Sequence, residues 1–202
     1  MRSSSILVCV IAFTALAGFG KQADAQALTS PSQWFLSVDL GVASTTPAAR
    51  FAGLGAGGEL NISGGRRVSR FLHAGLDLGV VFFDDSLGFS NETTGGTKQS
   101  STSGITGSAW IGLTTAALSR SEVRRVDAAI NIGMSYLNVS REIGDCIDCD
   151  SESLASATSL FVEPLVLINF AQGKQALRLS VRQNVSSGYF VDRVVRVGWL
   201  VR

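Results

Sequence analysis

The 202-residue chain is poor in lysine and histidine, and past its opening segment no apolar run is long enough to cross a membrane as a helix. A helical span needs about 20 consecutive apolar residues, so any crossing falls to strands. One histidine and three cysteines, without zinc-ligand spacing, argue against a metal centre. There is no phosphate-binding loop and no other cofactor signature. A formal net charge of +1 leaves little to attract nucleic acid. Lysine occurs only at Lys21, Lys98 and Lys174, none of them in a strand-like segment. A sheet face in water carries such residues in quantity, so their scarcity speaks against a water-washed sheet.

What is present begins with an export signal. Arg2 supplies a positive start, Ile6 to Phe19 an apolar stretch, and Ala23-Asp24-Ala25 a small-x-small cleavage site before Gln26. Residues 1–25 are therefore expected to be a cleaved signal peptide, and 26–202 one domain. Cys9 belongs to the signal.

From Trp34 onward the chain alternates with period two, as strands do. Leu36, Val38, Leu40 and Val42 alternate with Ser37, Asp39 and Gly41; Leu72, Ala74, Leu76, Leu78 and Val80 alternate with His73, Gly75, Asp77, Gly79 and Val81. Eight such segments fall near 33–43, 54–63, 70–83, 104–114, 124–139, 158–170, 176–186 and 190–202. Each is long enough to cross a bilayer at a tilt. In the second, Leu54, Ala56, Leu60 and Ile62 share the apolar side; in the eighth, Val191, Val195, Val197, Trp199 and Val201 do. Pro164 removes a ladder donor from the sixth, where a bulge or local break is expected.

The connections alternate in length. Gly64-Gly65-Arg66-Arg67, Ala116 to Glu122 and Ala171 to Lys174 read as turns, whereas Ser44 to Gly53, Asp84 to Ser103 and Ser140 to Ala157 are longer. Short periplasmic turns and long outer loops around an even number of strands produce this pattern. A soluble ligand-binding barrel of the lipocalin kind also alternates, but its polar face lies in water. Here that face is built of Gly, Ser, Asn and Ala with isolated charges, which suits the crowded interior of an eight-stranded barrel. By parity Asp39, Glu59, Asp77, Asp127 and Glu163 point inward with Arg178, Arg182 and Arg196. Neighbouring strands would let Glu163 reach Arg178 or Arg182, and Arg196 reach Asp39, in a buried ion-pair cluster.

Trp34, Phe35, Phe71, Phe82, Phe83, Tyr136, Phe170, Tyr189, Phe190 and Trp199 lie near segment ends, where interfacial girdles form. Trp110 and Phe161 have inward parity, and Arg193 outward parity near the outer end. The signal, the eight alternating segments, the long and short connections and the charged, small-residue interior resemble the small eight-stranded outer-membrane β-barrels of Gram-negative bacteria, the OmpA transmembrane-domain and OmpX type. The resemblance covers about 30–202 and is architectural, without a motif that carries functional residues across. It implies an all-β, eight-stranded antiparallel up-and-down transmembrane barrel in the outer membrane. It also implies contact with outer-membrane lipid and lipopolysaccharide, insertion by the barrel assembly machinery, and a monomeric state. Members usually end in an aromatic residue; this chain ends Trp199-Leu200-Val201-Arg202.

Cys146 and Cys149, within Asp145-Cys-Ile-Asp-Cys-Asp150, are expected to form a loop disulfide in an oxidising compartment. The aspartates beside them read as a solvated acidic loop, with weak divalent-cation binding as the alternative. His73 begins its strand far from Asp84, Asp85 and Ser86, which favours a hydrogen-bonded lumen histidine over a lipid A-modifying active site. The expected function is non-enzymatic: a porin-like barrel that anchors, with outer loops that make surface contacts. A narrow solute channel, a lipid A-modifying enzyme and a soluble exported binding barrel are the alternatives.

Overall fold

A computed structural model describes residues 34–69, 71–85, 100–115, 126–143, 151–170, 174–186 and 188–202. The expected signal segment, Lys98, Ser86 and the Cys146/Cys149 pair lie outside the described residues. Eight strands follow one another: β1 (Trp34–Thr45), β2 (Leu54–Arg67), β3 (Leu72–Asp85), β4 (Ser100–Thr114), β5 (Val126–Ile143), β6 (Ser151–Phe170), β7 (Gln175–Asn184) and β8 (Val191–Val201). A short helix, α1 (Pro47–Phe51), lies between β1 and β2. Each strand pairs antiparallel with the next, and β1 also pairs with β8, closing an up-and-down barrel and leaving none of the eight as an edge.

The barrel is apolar outside and charged inside. Val38 and Leu40 are 48% and 66% exposed, while Asp39 between them is 0% exposed. The same inversion holds for Leu78 against Asp77 and Val181 against Arg182. A soluble barrel does the opposite, because water rewards polar groups outside and an apolar core within. Only hydrocarbon solvates such an exterior, and a closed barrel is the sheet form that satisfies every backbone group there. No helix among the described residues is long and apolar enough to cross a membrane.

Several strands differ from their expected bounds. β2 runs through Gly64-Gly65-Arg66-Arg67, which the sequence presented as a turn. Gly65 is tolerated there because the Phe35 ring fills the space where its side chain would stand. Beyond Arg67, Val68 N and Ser69 N donate to Leu72 O at 2.9 and 3.0 Å, and Ser69 Oγ accepts from Leu72 N at 3.1 Å. β5 and β6 extend to Ile143 and back to Ser151, well into the expected loop. The outermost of their added residues pair as a polar ladder, Ser140 opposite Ser153 and Arg141 opposite Glu152. An apolar period cannot reveal a ladder of that composition.

At Pro164 the β6–β7 pairing skips a step but keeps its register, Val162 opposite Gln183 and Leu165 opposite Ser180. The proline costs a ladder bond without a bulge. True register shifts occur at Ser44/Thr45, Leu54/Gly57 and Val139/Ser140, all toward the loop end. Beside the first two, Leu54 and Val191 turn inward, although simple parity put both on the outer face. Trp34, Phe71, Phe82, Tyr136, Phe170 and Trp199 do face outward, with Phe170 and Trp199 stacked at 5.9 Å. Phe83 and Tyr189 are buried in the lumen, and Phe35 stacks on Trp110 there; these three do not belong to the girdle.

Candidate functional site

The lumen is built in lateral rows, each crossing the strands at one height. Register decides which residues share a row, and glycine decides which of them touch. Arg196 of β8 lies opposite Gly41 of β1, which lies opposite Glu59 of β2. With no side chain at Gly41, the flanking residues meet across it: Arg196 Nε and Nη2 donate to the two Glu59 oxygens, both at 2.6 Å. This is a bidentate fork, the strongest arginine–carboxylate geometry. One row nearer the short turns, Arg178 of β7 lies opposite Gly198 and Gly198 opposite Asp39. Arg178 Nη1 donates to Asp39 at 2.9 Å over the bare glycine, where an added Cβ would collide with the Asp39 carboxylate.

Glu163 joins the rows. It accepts from Arg178 Nη2 at 2.9 Å, Arg182 Nη2 at 3.1 Å, Arg196 Nη1 at 3.2 Å and Ser180 Oγ at 2.8 Å. Arg182 also pairs with Asp77, donates from Nη1 to the Ser108 hydroxyl at 2.8 Å, and lies 3.9 Å over the Phe161 ring. Trp110 Nε1 donates to the other Asp77 oxygen at 2.8 Å. Three guanidiniums thus meet four carboxylates, Asp39, Glu59, Asp77 and Glu163, all buried.

Glu163 lies between Arg178 and Arg182, and also reaches Arg196. Arg196, however, binds Glu59, and Asp39 is taken by Arg178, so the expected Arg196–Asp39 pair does not form. The register puts Gly198, not Arg196, opposite Asp39. Asp127 stands apart from the cluster and accepts from Asn169 at 2.7 Å. His73 hydrogen-bonds across another bare position, Gly112, to Asn131 at 2.9 Å, and packs edge-on against Phe35 and Trp110.

Two further layers flank the charges. Toward the long loops, Leu54, Val81, Leu137, Val139, Val191 and Val194 form an apolar plug with Phe83 and Tyr189. Helix α1 folds onto it: Thr46 caps the helix by accepting from Ala49 N at 3.4 Å, Thr46 N donates to Phe190 O at 3.0 Å, and Ala49 is fully buried. Arg141 Nη2 donates to the Ala52 carbonyl at 2.9 Å and holds the helix end. Arg141 escaped the sequence reading because it sits in a polar stretch that resembled a loop. Toward the short turns, a cavity of about 70 Å³ opens below Arg178 and Trp110.

No protein-family model and no curated protein matches this chain. Its fold does match solved structures. Neisserial surface protein A aligns at a TM-score of 0.55 with 16% identity, over 84% of this chain and 97% of that one. A major outer membrane protein from Thermus thermophilus aligns at 0.52 with 16% identity, over 85% and 100%. The chain has the fold of the small eight-stranded outer-membrane barrels.

Proposed function

We propose that this protein is an outer-membrane anchor of Gram-negative type, exported by cleavage of residues 1–25, whose outer loops make structural or surface contacts. The observation that carries the reading is a closed barrel with an aliphatic exterior and an occupied interior. Arg178, Arg182 and Arg196 with their carboxylates fill the middle, and the apolar plug under α1 fills the loop end. Eight-stranded barrels are just wide enough for side chains to fill, so the interior supports rather than conducts. The exposed valines and leucines contact lipid and the lower part of lipopolysaccharide; the barrel assembly machinery inserts a monomer. Cys146 and Cys149 close a small disulfide loop on the outer side.

The test has two readouts. In membrane fractions the chain sediments with the outer membrane and migrates differently on gels with and without boiling, as a folded barrel does. Planar bilayers holding the purified protein show no steady conductance. A soluble fraction without a heat-dependent shift defeats the anchor, and reproducible unitary currents replace it with the narrow channel. Altered acylation of extracted lipid A after expression points instead to an enzyme.

A further inference from the structure

Closure leaves no strand unpaired along its whole length, but β6 outruns its neighbour on one side. β6 has 20 residues and β7 has 10. Along β5 the pairing of β6 runs from Ser151 to Ile168. Along β7 it begins only at Phe161, opposite Asn184, with one further ladder bond from Val185 N to Leu160 O at 2.9 Å. Ser159 Oγ closes that step by accepting from Val185 N and Ser186 N at 3.2 and 3.0 Å. Beyond it, residues 155–158 pair with β5 and, among the described residues, have no backbone partner on the other side. Ladder bonds alternate along a strand. Because the Leu160 carbonyl turns to the β7 side, the N–H and C=O groups of Ser156 and Thr158 turn to it as well. Both residues are exposed.

An open edge is a template for another strand unless proline, lysine or a bulge blunts it. Residues 155–158 hold no proline or lysine, and the register shift of the β5–β6 pair comes only above them, at Val139/Ser140. The aliphatic belt of the outer face ends here at Leu160 and Val185, and the exposed Ser156 and Thr158 follow. On the inner side Leu154 and Ala157 lie half-buried at the margin of the plug. A second copy does not fit this edge. Two copies in one membrane are related by rotation about its normal, so their β6 strands would run in the same sense and cross at roughly 70–90°, twice the strand tilt. Charge narrows the choice further: segment 140–157 carries Glu142, Asp145, Asp148, Asp150 and Glu152 against Arg141 as its one cation. A complementary strand is therefore basic. We infer that the upper edge of β6 receives an extended basic segment of a soluble partner protein by strand addition, with alternate apolar side chains turned toward the plug. The inference rests on the anchor reading, which stands this edge outside the membrane on the loop side.

The test uses the protein in phosphatidylcholine nanodiscs, whose zwitterionic lipid does not itself draw a basic peptide. The probe is a short fluorescent peptide alternating lysine and valine, compared with one alternating glutamate and valine. The lysine peptide is expected to bind saturably by fluorescence anisotropy, and the glutamate peptide at least several-fold more weakly. Thr158→Pro removes an N–H on the open edge without touching the β5 ladder and should weaken binding several-fold, whereas Thr158→Ala should leave it unchanged. Should the proline variant fail to fold, nuclear magnetic resonance of the unaltered protein decides. The Ser156 and Thr158 amide protons should gain exchange protection with the lysine peptide, while those of Ser135 and Leu137 in β5 stay as they were. Equal binding of the two peptides, binding indifferent to Thr158→Pro, or no added protection at Ser156 and Thr158 overturns the inference. A nanodisc protein that keeps its heat-dependent gel shift yet fails these arms defeats the edge alone; a chain without that shift defeats the anchor reading and the edge with it.

Discussion

The two ends of the lumen are made by the same eight strands and the same alternation, yet they differ in kind. At the loop end, inward positions hold Val81, Val139, Val191 and Leu137, buried against one another and roofed by α1. At the turn end they hold Phe35, His73, Trp110 and Arg178 around open space. The difference lies in the neighbours. Inward aliphatic residues of similar size in adjacent strands interdigitate and exclude water. At the turn end, large rings stand beside Gly65, Gly75 and Gly133, and lean over them to reach one another. A row of unequal side chains brings distant strands together but leaves a larger gap, about 70 Å³ at the turn end against about 10 Å³ beside the plug. Period two chooses the face; size variation along the row chooses between plug and pocket.

The sharpest way to break this contrast is at the charged layer between the two ends. Arg182→Ala, or Glu163→Leu, leaves buried partners unpaired and should destabilise the barrel by about 3–5 kcal/mol. Urea unfolding in lipid vesicles measures it; an unchanged midpoint removes the cluster from the account of stability. Next in size, Leu137→Ala in the plug should cost about 2–5 kcal/mol, whereas Leu200→Ala beside the existing cavity should fall at or below the bottom of that range. Equal losses in the same assay would mean that the two ends are packed alike.

On the outer face, Leu40→Arg near the middle of β1 should cost about 2–4 kcal/mol, and Val201→Arg at the turn end no more than about 1. Folding yield into bilayers of fixed thickness reads both, and an absent depth dependence would speak against a hydrocarbon belt. The smallest effect sharpens the role of glycine. Gly198→Ala sets a methyl against the Asp39 carboxylate and should cost about 1–3 kcal/mol. Gly188→Ala, with nothing among the described residues within 4 Å of the added carbon, should be close to neutral in the same folding assay.

Much of the barrel was legible in advance because lipid contact demands strict alternation. The faces of Asp39, Asp77, Glu163, Arg178, Arg182 and Arg196 follow from their position relative to neighbouring aliphatics. Where apolar alternation lapses, as in 140–142 and 151–153, the strand carries no period that separates it from a loop. Where a register shift intervened, Leu54 and Val191 landed on the opposite face. Phe35, Phe83 and Tyr189 looked like girdle residues because an aromatic near a strand end has the same local signature whether it faces lipid or lumen.

By itself the sequence determined the face that strand residues present away from register shifts, since the backbone pleat fixes that over a few neighbouring positions. It did not determine the partners. Which arginine holds which carboxylate depends on how strands far apart in the chain slide past one another, and on which glycine stands between them. Arg196 meets Glu59 because Gly41 lies in their row, and Arg178 meets Asp39 because Gly198 lies in theirs. A row forms only when the barrel closes, so its chemistry belongs to the tertiary structure.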